Sequence, residues 1–340
     1  MQSRSEFHNS VQQPDLQALM VAATAAKTGD AQGREQLLAA VTWGAFCCPV
    51  AMGGIIDTIA VAWLGRGTVQ NWPNVLPTGQ LDEGFWNAFW TVIDEKNFDA
   101  ISITEAVASL GGAVDPQLLE ISEAAARDHP GAASALMRPV PGRTQIETLE
   151  GLPQGSLGHR LHQMVVDNGY DLEVLDREAI QLSALPQALQ YLNVRILQMH
   201  DVWHLVAGYE TSGSHEIAIS AFQLAQFGHN YSAMFLAVVL MKSHQNQPQG
   251  FGLLMQLITE AWLHGRETPA LMDIEWEQEW PNSIESIRKK YDIKPYASVL
   301  PRNLLEILSG TSFWQRLGLV IKMGWMALRL RRGEYLQSAV

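Results

Sequence analysis

From Pro186 to Ala207, apolar residues recur at alternating steps of three and four: Leu189, Leu192, Ile196, Met199, Trp203 and Val206. That interval belongs to an α-helix with one buried stripe, and Pro186 suits a first turn, where its missing N–H costs nothing. His200 and His204 each follow a stripe residue by one position. They therefore lie about 100° around the helix from it, one turn apart on a single face at the border of the core.

Asp201 flanks this pair, and a second carboxylate, Glu216, returns after the break Gly208-Tyr-Glu-Thr-Ser-Gly-Ser214, whose glycines can turn the chain beside the first helix. Two imidazoles with one or two carboxylates suit Zn²⁺, with Fe²⁺ or Mn²⁺ as competitors. The plain alternative is a chance pair, since His-x-x-x-His arises in many helices. A chance pair on a solvated face would have charged neighbours, whereas Leu197 and Ala207 flank these histidines. Zincins place Glu directly after the first His as general base. Asp201 has a shorter reach, which weakens a peptidase reading.

Around this helix the sequence predicts an all-α, multi-helix bundle. Helical patterns run from Asp15 to Ala40 with a break at Thr28–Gly33, then over about 82–95, 101–111, 115–128, 157–168, 213–227, 230–243, 251–264 and 283–291. Asp115 before Pro116 reads as an N-cap, and Gly111-Gly112 as the preceding stop. Residues 1–15 read as a polar, frayed lead-in. The most apolar window, Val41–Leu64, is interrupted by Pro49, Gly53, Gly54 and Asp57, so two buried or membrane-touching helices are expected there rather than a membrane span of about 20 residues. His215 and His229 fall near helix ends and are expected as caps or surface residues. Three units are expected: an N-terminal helical extension over 1–80, a helical domain carrying the metal motif over 81–298, and a C-terminal basic amphipathic helix over 299–340.

That last unit carries Arg316, Lys322, Arg329, Arg331 and Arg332 with no acidic residue between Phe313 and Arg332, among Trp314, Trp325 and several aliphatic residues. In a chain of net charge −12 such a segment suits a leaflet surface of anionic lipids, with a terminal helix packed on its own bundle as the alternative. The same net charge argues against nucleic acid as a partner. The two cysteines, Cys47 and Cys48, are adjacent and unsuited to pairing with each other, which points to a reducing compartment. The first 18 residues lack the features of a secretory signal or an Arg-rich transit peptide, so a cytoplasmic, bacterial setting is expected.

With His200-Asp-Val-Trp-His204 followed at this spacing by Glu216, the chain resembles the coenzyme Q (ubiquinone) biosynthesis protein 4 family. The flanks Gly151-Leu-Pro-Gln-Gly-Ser-Leu-Gly158, His264-Gly-Arg266, Ile274-Glu-Trp-Glu277, Trp280, Ile287-Arg288 and Ile293 extend the likeness over roughly 84–295. The resemblance implies Zn²⁺ held around His200, Asp201, His204 and Glu216, with Fe²⁺ as the redox-active option, and an apolar tunnel for a polyprenyl chain. It further implies a peripheral place on the inner membrane and a part in ubiquinone assembly beside other biosynthesis proteins, with a homodimer compatible. The activity implied is a carboxy-lyase that decarboxylates, oxidatively or not, a polyprenylated hydroxybenzoate. Its isoprenoid tail would lie among residues such as Leu197, Phe222 and Met234. The competing reading is a lipid-binding scaffold that presents quinone precursors without catalysis. A weaker one, a phosphohydrolase acting on prenyl phosphates, wants cations near the metal, and the motif's surroundings offer only Arg195.

Overall fold

The structure is a computed structural model and describes residues 3–70, 76–96, 100–169, 173, 177–178 and 181–305. The basic segment 313–332, and with it most of the C-terminal unit, lies outside the described residues. Within them the fold is all-α, with no strand. The order is α1 (Arg4–Ser10), α2 (Leu16–Lys27), α3 (Ala31–Phe46), α4 (Met52–Leu64), α5 (Glu83–Asp94), α6 (Ala100–Gly111), α7 (Gln117–Asp128), α8 (Leu157–Asn168), α9 (Gln187–Ala207), α10 (Gly213–Phe227), α11 (Asn230–Asn246), α12 (Phe251–Glu267), α13 (Trp276–Glu279) and α14 (Ile284–Tyr291).

Helix starts follow side chains that satisfy free backbone N–H groups. Asp15, Asp30, Asp82, Ser156, Ser212 and Ser283 each accept from the N–H three residues on. Asp115 does the same work for α7, accepting from the Gln117 N–H at 2.9 Å. In the window Val41–Leu64 the chain turns at Pro49, so α3 and α4 are separate buried helices. No described helix is long and apolar enough to cross a membrane.

Residues 3–15 correct the expectation of a frayed lead-in. Ser3 and Glu6 form a reciprocal capping box, and α1 is docked by its side chains. Phe7 is buried, the His8 ring stacks 4.0 Å from Trp86, the Trp90 indole N–H donates to His8 Nε2 at 2.7 Å, and Arg4 pairs with Asp94. Helix α1 also packs on α3, and its polar and ring partners in α5 lie some eighty positions away, so no local pattern announces the docking.

One core takes in residues from Phe7 to Leu304. Helices α2, α3 and α4 pack on one another, α3 lies on α11, α4 on α12, and α10 lies against both α11 and α12. Where α4 meets α12, buried Asp57 accepts from the Trp262 indole N–H at 2.8 Å and from Arg266 Nε and Nη2 at 3.1 Å each. Arg266 also stacks on the Trp262 ring at 4.6 Å. Cys47 and Cys48 are buried free thiols, pushed by burial to about 12 and about 11, so neither offers a thiolate nucleophile near neutral pH.

A close helix contact brings α10 onto α12 through Gly265. A Cβ there would stand 2.8 Å from the Phe222 carbonyl oxygen and 2.6 Å from Ala225 Cβ. Backbone cannot move aside as a flexible side chain can, so Gly265→Ala should force the two helices apart. A loss of about 1–3 kcal/mol in urea unfolding is expected, the usual penalty for overpacking. Unchanged stability would mean that the helices are not in contact at this point.

Candidate metal centre

All six residues of the apolar stripe on α9 are buried, which turns the two histidines toward α10. His200 and His204 approach through their Nε2 atoms at 3.0 Å. Glu216, in the first turn of α10, spans both, with Oε2 3.2 Å from His200 Nε2 and Oε1 3.3 Å from His204 Nε2. Asp201, next to His200 on α9, and the two histidines each offer a ligand atom, all within 4.8 Å of one another. The structure thus brings Glu216 to both imidazoles and places Asp201 near them.

The donor set fits a divalent ion. Ligand atoms 2.0–2.1 Å from a tetrahedral Zn²⁺ lie about 3.3 Å apart, close to the spacing of the two imidazoles and the Glu216 oxygens. His204 Nδ1 lies 3.4 Å from the Tyr209 carbonyl oxygen, which can only accept, and a hydrogen held there would leave Nε2 to the ion. Two carboxylates and two neutral imidazoles would balance a 2+ charge. Burial separates the members: His204 and Asp201 are enclosed at 1% and 6% exposure, whereas the side chains of His200 and Glu216 remain 30% and 38% exposed. One side of the group is thus open.

Electrostatics within the group follow from the same contacts. Burial works against a charged His200, but the Glu216 hydrogen bond and the charges of Glu216 and Asp201 outweigh it and hold the imidazole above its ordinary value. For Glu216, burial favours the neutral acid, and the hydrogen bonds from His200 and His204 overcome it, holding the carboxyl far below the usual range. It is ionised at any physiological pH.

Three features anchor α9 so that the histidines keep their positions. Its last four carbonyls are all taken: His204 by the Gly208 and Tyr209 N–H groups, Leu205 and Val206 by the Arg288 guanidinium at 2.9 and 2.8 Å, and Ala207 by the Tyr296 N–H at 2.7 Å. Gly208 ends the helix at φ +80°, where a Cβ would also press 3.0 Å from Pro295. Further up the helix, Arg195 forms a two-pronged pair with Glu277 at 2.5 and 3.0 Å, so its charge is held by that carboxylate rather than offered to an anion at the metal group. The segment 151–158 in turn docks on the chain before α14, with Leu157 N–H on the Asn282 carbonyl and Gly158 N–H on that of Trp280. The flanking motifs thus converge on the helix that bears the histidines.

The remaining residues singled out from the sequence sit differently. His215 and His229 are buried rather than at the surface, and His229 stands at the N-cap position of α11 without capping it through its side chain. The Glu210 N–H donates to His215 Nδ1, while His229 lies between Ser232 Oγ and Asn193 Oδ1 at 2.9 and 3.1 Å. Burial, helped by the nearby His200 charge, pushes His229 down to about 3, so it is neutral. Phe222 is fully buried against Tyr209 and His264, Met234 is buried and Leu197 partly so. Sequence reasoning missed Gln223, whose Nε2 lies 2.8 Å from His200 Nδ1. Its position seven residues after Glu216, two turns along the same face, was the available signal.

Similarity to known proteins bears on the same stretch of chain. A family model described as coenzyme Q (ubiquinone) biosynthesis protein Coq4 matches residues 87–297. The mitochondrial ubiquinone biosynthesis protein COQ4 homolog of Rattus norvegicus is 26% identical over 151 residues, 44% of this chain and 55% of that protein. The Homo sapiens homolog is 25% identical over 194 residues, covering 56% of this chain and 71% of its own, and that of Bos taurus is 24% identical over 241 residues, covering 68% and 85%. The match thus spans about half the length of the rat relative. A crystal structure of a Nostoc punctiforme protein assigned to ubiquinone biosynthesis aligns with 25% identity and a TM-score of 0.48, over 62% of this chain and 98% of that one.

Proposed function

The chain belongs to the coenzyme Q (ubiquinone) biosynthesis protein Coq4 family, and on that premise we propose that it serves ubiquinone biosynthesis as a metal-dependent carboxy-lyase. The substrate in this reading is a polyprenylated hydroxybenzoate, whose ring carboxylate is removed at a membrane surface. The observation that supports it is the convergence of His200, His204 and Glu216 at 3.0–3.3 Å on a group with one open side.

In this reading His204 and Asp201 form the enclosed floor of the site, and His200 and Glu216 its accessible rim. Zn²⁺ bound there would supply Lewis-acid polarisation of the head group, and Fe²⁺ would add redox chemistry for an oxidative step. Tyr209, through its backbone carbonyl, keeps His204 oriented. The ionised Glu216 helps to offset the ion's charge, and the apolar border beginning at Leu197 keeps water away and receives the isoprenoid tail. The basic segment 313–332 would hold the protein against anionic lipids of the inner leaflet of a bacterial membrane, within reach of other ubiquinone biosynthesis proteins.

A second reading rests on the enclosure of Asp201. If Asp201, His200, His204 and Glu216 all ligate, four protein atoms close the shell and the ion becomes structural, as in a scaffold that presents lipid precursors. Complementation separates the two. In a strain lacking the ring decarboxylation step, the parent is expected to restore ubiquinone, and His204→Ala and Glu216→Ala at equal expression are expected to restore less than about a hundredth as much, as for loss of a metal-held reaction. Full restoration by both variants would remove the catalytic reading.

A further inference from the structure

Helix α10 grips His200 from both ends. Glu216 meets Nε2, and Gln223, two turns along the same face and 4% exposed, meets Nδ1 with its amide nitrogen at 2.8 Å. A neutral imidazole has one N–H and one lone pair. For the neutral form of His200, with the Gln223 amide donating to Nδ1, the hydrogen sits on Nε2, where Glu216 Oε2 is a ready acceptor at 3.2 Å. That arrangement is internally satisfied, yet it hides the lone pair that a metal would need. To ligate through Nε2, His200 must carry its hydrogen on Nδ1, and Nδ1–H then needs an acceptor. Half a turn of the Gln223 side-chain amide presents Oε1 in place of Nε2.

We propose that Gln223 is a positioning residue whose amide reverses when metal loads, setting the tautomer of His200 in each state. The inference rests on the metal-site reading above and deepens it. A glutamine at this position satisfies both tautomers; a carboxylate could only accept and would favour the ligating one, whereas an aliphatic side chain would leave Nδ1–H without a partner in a buried site. For His204 the corresponding partner of Nδ1 is the Tyr209 carbonyl, which can only accept.

The test uses the full chain stripped with a chelator, with zinc affinity read by competition with a chromophoric chelator. Gln223→Leu is expected to weaken Zn²⁺ binding about 10–100-fold, the range for loss of a partner behind a metal-bound histidine, and Gln223→Glu to bind within about threefold of the parent or more tightly. Nitrogen-15 NMR of histidine-labelled parent protein provides a readout that mere packing would not move: the His200 hydrogen should be on Nε2 without metal and on Nδ1 with Zn²⁺. Equal zinc affinity in Gln223→Leu, equal weakening in Gln223→Glu, or a His200 tautomer unchanged by zinc in the parent would each overturn the proposal. A parent that binds no Zn²⁺ would instead remove the metal-site reading on which it stands, and the two failures are thereby told apart.

Discussion

Stripped of metal and titrated with Zn²⁺, His204→Ala should bind the ion at least about a hundredfold more weakly than the parent, a larger effect than loss of a supporting hydrogen bond produces. His204 contributes the most constrained donor of the group: it is 1% exposed, its ring is fixed through Nδ1 by the Tyr209 carbonyl, and its Nε2 stands 3.0 Å from His200 and 3.3 Å from Glu216. Removing it leaves the ion one imidazole short and puts two carboxylates against a single neutral donor. The loss should also show as stability. An ion that binds only the folded chain stabilises it by about 2.7 kcal/mol at a hundred times its dissociation constant, so zinc should raise the unfolding midpoint of the parent and not that of His204→Ala. Circular dichroism of the metal-free variant checks that the helices persist. Zinc affinity equal to the parent's in a folded His204→Ala would show that the ion, if any, is held elsewhere.

Asp57→Ala should cost about 3 kcal/mol, the low end of the range for breaking a buried ion pair, because Arg266 keeps 21% side-chain exposure and some access to water. The carboxylate is the shared acceptor for the Trp262 indole N–H, for Arg266 and for the Gln70 N–H, and its loss leaves a buried donor and a charge uncompensated at the contact of α4 with α12. Urea unfolding gives the size of the effect, and hydrogen exchange its place, with amides of α4 expected to open first. A loss below about 1 kcal/mol would mean that water or Gln70 takes over the role of Asp57. The interaction also reaches toward the metal group, since Arg266 adjoins Gly265, the residue on which α10 rests.

Much of the helical framework was legible in the chain because its signals are local. Asp15, Asp30, Ser156 and Ser283 cap the helices that follow them, Gly111 closes α6 where a stop was read, and the stripe of α9 is buried throughout. The docking of α1 was not legible, because a seven-residue helix has no periodicity to read and is held by Trp86 and Trp90 far along the chain. The burial of His215 and His229 was misjudged for a related reason. A histidine near a helix end can face solvent or core, and packing against Tyr296 for one and Asn193 for the other decides the matter.

By itself the sequence determined that His200 and His204 share a helix face, that Asp201 lies beside them and that Glu216 opens the next helix, since the helical repeat and the glycine-rich break are properties of neighbouring residues. Only the tertiary structure decided that Glu216 bridges both imidazoles, that Gln223 stands behind His200, and that Arg288 and Tyr296 close the end of α9. Those contacts depend on how two helices cross and on segments up to some ninety positions away, and a hydrogen bond forms or fails over a few tenths of an ångström, a distance that packing sets and residue spacing does not.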